Sequence, residues 1–118
     1  MSVEFFIDTK LCSINQKYFV VNGRNILSTK YRQVKAYLTD HFSIFDQDEL
    51  PSKPYKITIA GKHFADLDAF IKIIFDSLEG AGVIENDKYV TKLIYKKTPA
   101  QRGGNEEYFI RVETDNET

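Results

Sequence analysis

The chain has 118 residues, 42% of them hydrophobic, a formal charge of −1 and one cysteine, which bounds it to a single globular domain (1–118) with one core. No apolar run approaches the roughly 20 residues of a membrane-spanning helix. The first residues lack the basic flank and small-residue cleavage site of a secretory leader, and Cys12 alone closes no internal disulfide. The expectation is therefore an intracellular, cytoplasmic protein.

In chain order, Val3–Ile7 reads as a strand. Lys17–Val21 and Asn25–Leu27 read as a hairpin, because the Asn22-Gly23 pair between them supplies the positive φ values of a tight turn. Ser28 is placed to cap a helix whose apolar residues Tyr31, Val34, Leu38 and Phe42 keep a three-to-four spacing. Residues 43–54 form a loop broken by Pro51 and Pro54. Tyr55–Ala60 alternates as a strand with Tyr55, Ile57 and Ile59 on one face. A second, largely apolar helix is expected over Ala69–Glu79, with Asp68 at its N-cap and Gly80 and Gly82 ending it. Tyr89–Lys96 and Glu107–Glu113 read as paired strands around the Gly103-Gly104 loop, and the acidic tail from about residue 114 to 118 as frayed. The order β-β-β-α-β-α-β-β predicts an α+β fold, a mixed β-sheet with two main helices.

Charge is distributed unevenly along this plan. From Asn105 onward five acids face one base, Arg111, for a net −4, and residues 1–104 carry a net +3. Within Lys88–Gly104 lie Lys88, Lys92, Lys96, Lys97 and Arg102 with no acid. Local clustering of this kind attracts a phosphate backbone, although a merely solvated face has the same composition.

Carboxylates carry the chemical signal. Asp66 and Asp68, two apart in extended chain, project from the same face where a strand gives way to a helix. Asp87 follows the segment that brings the chain back from that helix. Three carboxylates brought together repel unless a cation neutralises them, and a hard divalent ion takes such oxygens as ligands. Lys72, one helical turn beyond Asp68, is placed to touch a carboxylate or to stabilise phosphate charge. Plainer readings stand beside these: Asp68 as a simple helix cap, Asp87 as a turn residue, Lys72 as a solvated side chain.

The spacing as a whole resembles the RusA family of Holliday-junction resolvases. That family is marked by Asp-x-Asp-Asn-x-x-Lys opening a helix, a Phe-Asp-x-Leu…Ala-Gly segment, and a further aspartate near the next strand. Asp66, Asp68 and Lys72 match the first motif, Phe75-Asp76-x-Leu78 and Ala81-Gly82 the second, and Asp87 the third. Ser13, Asn15, Tyr18, Ser28, Tyr31 and Arg32 resemble the family's N-terminal region more loosely. The resemblance implies a homodimeric, Mg2+-dependent endonuclease (Mn2+ as a substitute) that nicks four-way junctions and other branched DNA. Asp66, Asp68 and Asp87 would be the metal ligands and, with Lys72, the catalytic residues. Lys62, Lys96, Lys97, Arg102 and Asn15 are the expected DNA contacts. The chain departs from the pattern at Ala69, where the family has asparagine, and at Phe64-Ala65, where it has bases. A DNA-binding accessory protein on the same scaffold is the alternative. His63 and His41 read as ordinary structural histidines, and Phe64 as either a core residue or a wedge between bases.

Overall fold

The computed structural model describes residues 1–11, 18–21 and 24–116, with side chains omitted for 18–21 and 24–27. Its elements are β1 (Ser2–Ile7), β2 (Tyr18–Val21), β3 (Arg24–Leu27), α1 (Thr29–Phe42), β4 (Tyr55–His63), α2 (Ile71–Gly80), β5 (Val90–Pro99) and β6 (Glu107–Thr114). Single 3-10 turns lie at Gln47–Glu49 and Asp87–Tyr89. This is the expected α+β fold: a four-stranded mixed sheet of order β1-β6-β4-β5, two helices, and a separate β2-β3 hairpin. The Asn22-Gly23 turn and Cys12 lie outside the described residues.

Alternation builds the sheet's packed face. Val3, Phe5 and Ile7 of β1, Tyr55, Ile57 and Ile59 of β4, and Tyr108, Ile110 and Val112 of β6 are all buried. They share one core with Tyr31, Leu38 and Phe42 of α1 and Ile73, Ile74 and Leu78 of α2. Full burial of an aliphatic side chain of this size contributes about 2 kcal/mol. Ser28 caps α1 as expected, its Oγ accepting from Tyr31 N at 3.1 Å. Gly82, at φ 79°, takes the left-handed position after α2, and Val83 N–H closes the helix end onto Leu78 O at 3.0 Å.

Two expectations need correction. β5 and β6 are not partners around the glycine loop: β4 lies between them, parallel to β5 and antiparallel to β6. The cause is α2, a helical crossover of the kind that returns a parallel strand beside its predecessor. Ala100–Glu106 then carries the chain past β4 to its far side. Asp68, for its part, does not cap α2. The helix starts at Ile71 with Phe70 in the cap position and no side-chain cap bond. The chain first closes a turn, Ala69 N–H donating to Asp66 O at 3.0 Å, which draws residues 66–70 out of the helix. Thr114 lies in β6, and Asp115 N–H donates to Pro54 O at 2.8 Å.

Candidate active site

β4 ends at His63, and residues 64–70 turn from it into α2. Asp66 and Asp68 are both exposed in this segment. Neither carboxylate has a hydrogen-bond or ion-pair partner among the described residues.

The segment is anchored from below by a buried aromatic group. His63 is fully buried, with Nδ1 3.0 Å from Ala65 O and Nε2 2.7 Å from Tyr95 Oη. A carbonyl only accepts, so Nδ1 carries the proton and the Tyr95 hydroxyl donates to Nε2. The imidazole stacks on Tyr108 with centroids 5.6 Å apart and meets the edge of Phe70 at 4.9 Å. Burial lowers the His63 pKa, keeping the ring neutral, and pushes the Tyr95 phenol up to about 12. Tyr108 is raised further by burial and by its 2.8 Å hydrogen bond to Glu106. His63 is therefore a structural histidine, as read from the sequence, but its partner is the carbonyl immediately before Asp66.

Across α2 lies a second polar group. Lys72 Nζ is 3.0 Å from Asp76 Oδ1 and 3.6 Å from Asp87 Oδ2. The other oxygen of Asp76 accepts a hydrogen bond from the hydroxyl of Tyr31, on α1. Glu79 Oε1 accepts from Asp87 N–H at 3.2 Å. Residues 72, 76 and 79 recur at helical spacing, so one face of α2 holds the 3-10 turn that carries Asp87. Hydrogen bonding to Asp76, ahead of the other contributions, raises the Lys72 pKa. The sequence marks Tyr31 only as a helix core residue and Asp76 only as part of the Phe-Asp-x-Leu motif, although the i,i+4 offset of Asp76 from Lys72 points to their pairing.

The structure thus joins Lys72 to Asp87 but does not gather the three aspartates. Among the described residues no group of three or more His, Cys, Asp or Glu side chains is placed to hold one ion. In kind the donors suit a hard cation: magnesium keeps several waters and takes one or two carboxylates, and Asp66 and Asp68 are two with no ion-pair partner among the described residues.

The expected DNA-contacting residues divide between the two faces of the sheet. Lys97 is opposite Gly61 in the register, on the packed side, and its Nζ donates to Phe64 O at 3.3 Å. Arg102 places its guanidinium 5.2 Å from the Phe64 ring centroid. Both cations therefore stand beside the Asp66 segment, and Phe64 itself is 52% exposed rather than core. Lys96 is opposite Ala60, and Lys62 opposite Thr98, on the other face. There a shallow hollow of about 350 Å³ is lined by Phe6, Lys62, Thr98, Glu107 and Phe109 among others. Asn15 lies outside the described residues.

The fold is a small α+β domain with an exposed Asp-x-Asp turn flanked by Lys97 and Arg102. A family model for the endodeoxyribonuclease RusA matches residues 12–113, and the chain belongs to that family of Holliday-junction endonucleases, which act on branched DNA. No curated protein matches the chain. Among the described residues no helix is long and apolar enough to cross a membrane.

Proposed function

We propose that this protein is an active, divalent-metal-dependent endodeoxyribonuclease that resolves four-way junctions by paired phosphodiester hydrolysis. The observation that carries this reading is the pair of exposed carboxylates, Asp66 and Asp68, with no partner among the described residues, in a segment flanked by Lys97 and Arg102. A domain that only bound DNA would weaken its own affinity by presenting free carboxylates to phosphate.

Asp66, Asp68 and Asp87 are the residues to hold Mg2+, with Mn2+ as a substitute. When bound, the cation would supply an activated water and offset the charge that develops on the phosphoryl oxygens. Lys72 contributes a fixed positive charge toward the scissile phosphate. Lys97 and Arg102 grip the backbone at the same end, while Lys62 and Lys96, on the other face of the sheet, contact more distant phosphates, and Asn15 is a further DNA contact. Phe64, exposed and stacked by Arg102, lies against the bases that the junction leaves open. Two coordinated nicks call for two sites related by a two-fold axis, hence an isologous homodimer, acting on DNA within the cytoplasm.

A second reading, a DNA-binding protein that does not cut, has one observation in its favour: the three aspartates are not drawn within reach of a single ion. Titration of the purified protein with Mn2+, followed by water-proton relaxation, separates the two before any DNA is added. The nuclease reading requires saturable binding that Asp66→Asn and Asp68→Asn each weaken. Absence of saturable binding would favour the non-cutting reading.

A further inference from the structure

We infer that Asp76 and Tyr31 are the positioning residues of the site: Tyr31 fixes Asp76, and Asp76 holds the Lys72 ammonium at the place from which it meets Asp87. The inference rests on the nuclease reading for its consequence in catalysis, and on geometry alone for its structural content.

The contacts run from core to surface. Tyr31 is 1% exposed, the Asp76 side chain 19%, and those of Lys72 and Asp87 43% each. An exposed lysine on a four-carbon stem samples many rotamers, and holding it in one costs side-chain entropy. A carboxylate one helical turn away supplies a charged partner at 3.0 Å. That carboxylate is itself clamped by a hydroxyl from another helix. Tyr31 therefore ties the orientation of the α2 surface to the packing of α1. The geometry assigns Asp76 no contact with substrate; it acts through Lys72.

The experiment uses the full chain in two measurements. In the first, protein carrying 15N-labelled lysine is examined for the Lys72 ammonium signal, assigned by its loss in Lys72→Arg. The expected result is a slowly exchanging ammonium in the wild type that broadens away in Asp76→Asn and weakens in Tyr31→Phe, while Asp66→Asn leaves it in place. In the second, single-turnover cleavage of a labelled four-way junction is compared among variants. Asp76→Asn is expected to cut about 100-fold more slowly and Tyr31→Phe about tenfold more slowly, with junction affinity and melting temperature near wild type. On a Lys72→Ala background Asp76→Asn is expected to add nothing further, because both changes remove the same positioned charge. An additive effect would show that Asp76 acts independently of Lys72 and would overturn the inference. So would an unchanged ammonium signal in both variants. If Asp76→Asn does not fold, Tyr31→Phe, which loses only one oxygen, carries both measurements. A wild-type protein that binds junctions without cutting them would sink the nuclease reading, and the lysine signal would still decide the positioning.

Discussion

Replacing Gly61 by alanine perturbs the support beneath the active segment without touching any of its carboxylates. Gly61 lies on the packed face of β4, between Ile59 and His63. A Cβ added there meets Tyr95 Oη at 2.7 Å and His63 Cδ2 at 3.0 Å, where ordinary contact begins near 3.4 Å. The Tyr95 ring cannot simply swing aside, because its hydroxyl is fastened to His63. Overpacking of this kind costs about 1–3 kcal/mol, and breaking the Tyr95–His63 hydrogen bond adds about 1 kcal/mol. Relief of glycine's excess flexibility in a strand returns roughly 0.5–1 kcal/mol. The net expectation is a loss of about 1–3.5 kcal/mol, or roughly 4–14 °C in melting temperature for a domain of this size. Urea and thermal unfolding measure it directly. Tyr95→Phe removes the atom that is struck, so the double variant Gly61→Ala/Tyr95→Phe should be less destabilised than the sum of its parts, by about 1 kcal/mol. A Gly61→Ala protein as stable as wild type would refute the argument, and strict additivity would show that the hydroxyl is not the obstacle.

Other consequences follow from the same contacts. Asp68→Asn should abolish cleavage while changing stability by no more than about 0.5 kcal/mol, since Asp68 caps nothing; a large loss of stability in urea would restore the capping role. His63, buried and neutral with its pKa below the ordinary 6.5, makes stability depend on pH in a defined direction. The unfolded chain takes up a proton as pH falls through 6.5 and the folded chain does not. Stability is therefore full above that value and declines as pH falls from it toward the lower folded pKa. His63→Gln should lessen the difference between unfolding midpoints at pH 7.5 and 5.5. Arg102→Ala should weaken junction binding and lower the slope of log affinity against log salt by about 1 if the guanidinium contacts a phosphate; an unchanged slope would confine it to Phe64.

The elements were readable where a single local cause fixes them. The Ser28 hydroxyl caps α1, and the alternation of Tyr55, Ile57 and Ile59 defines the buried face of β4. Strand neighbours were not readable in that way. Alternation says which face a residue occupies but not which strand lies beside it, so the loop between β5 and β6 suggested a hairpin that β4 in fact interrupts. Asp68 had the composition of a cap, and the Asp66–Ala69 turn overrode it. Within the site, the spacing set Lys72 beside Asp68 and Asp87 beside Asp66 and Asp68, whereas Lys72 pairs with Asp76 and Asp87. The separation of Lys96 from Lys97 follows from strand alternation alone, yet reading the basic run as one patch hid it. Tyr31 was the least accessible, because only the packing of α1 on α2 brings it to Asp76, 45 residues away in sequence.

Incubation of the purified protein with a labelled four-way junction and a matched linear duplex, with and without Mg2+, tests the central claim most directly. The account predicts Mg2+-dependent, symmetrically paired nicks in the junction alone, absent in Asp66→Asn, Asp68→Asn and Asp87→Asn. Binding of the junction with no nicking in Mg2+ or Mn2+ would contradict it.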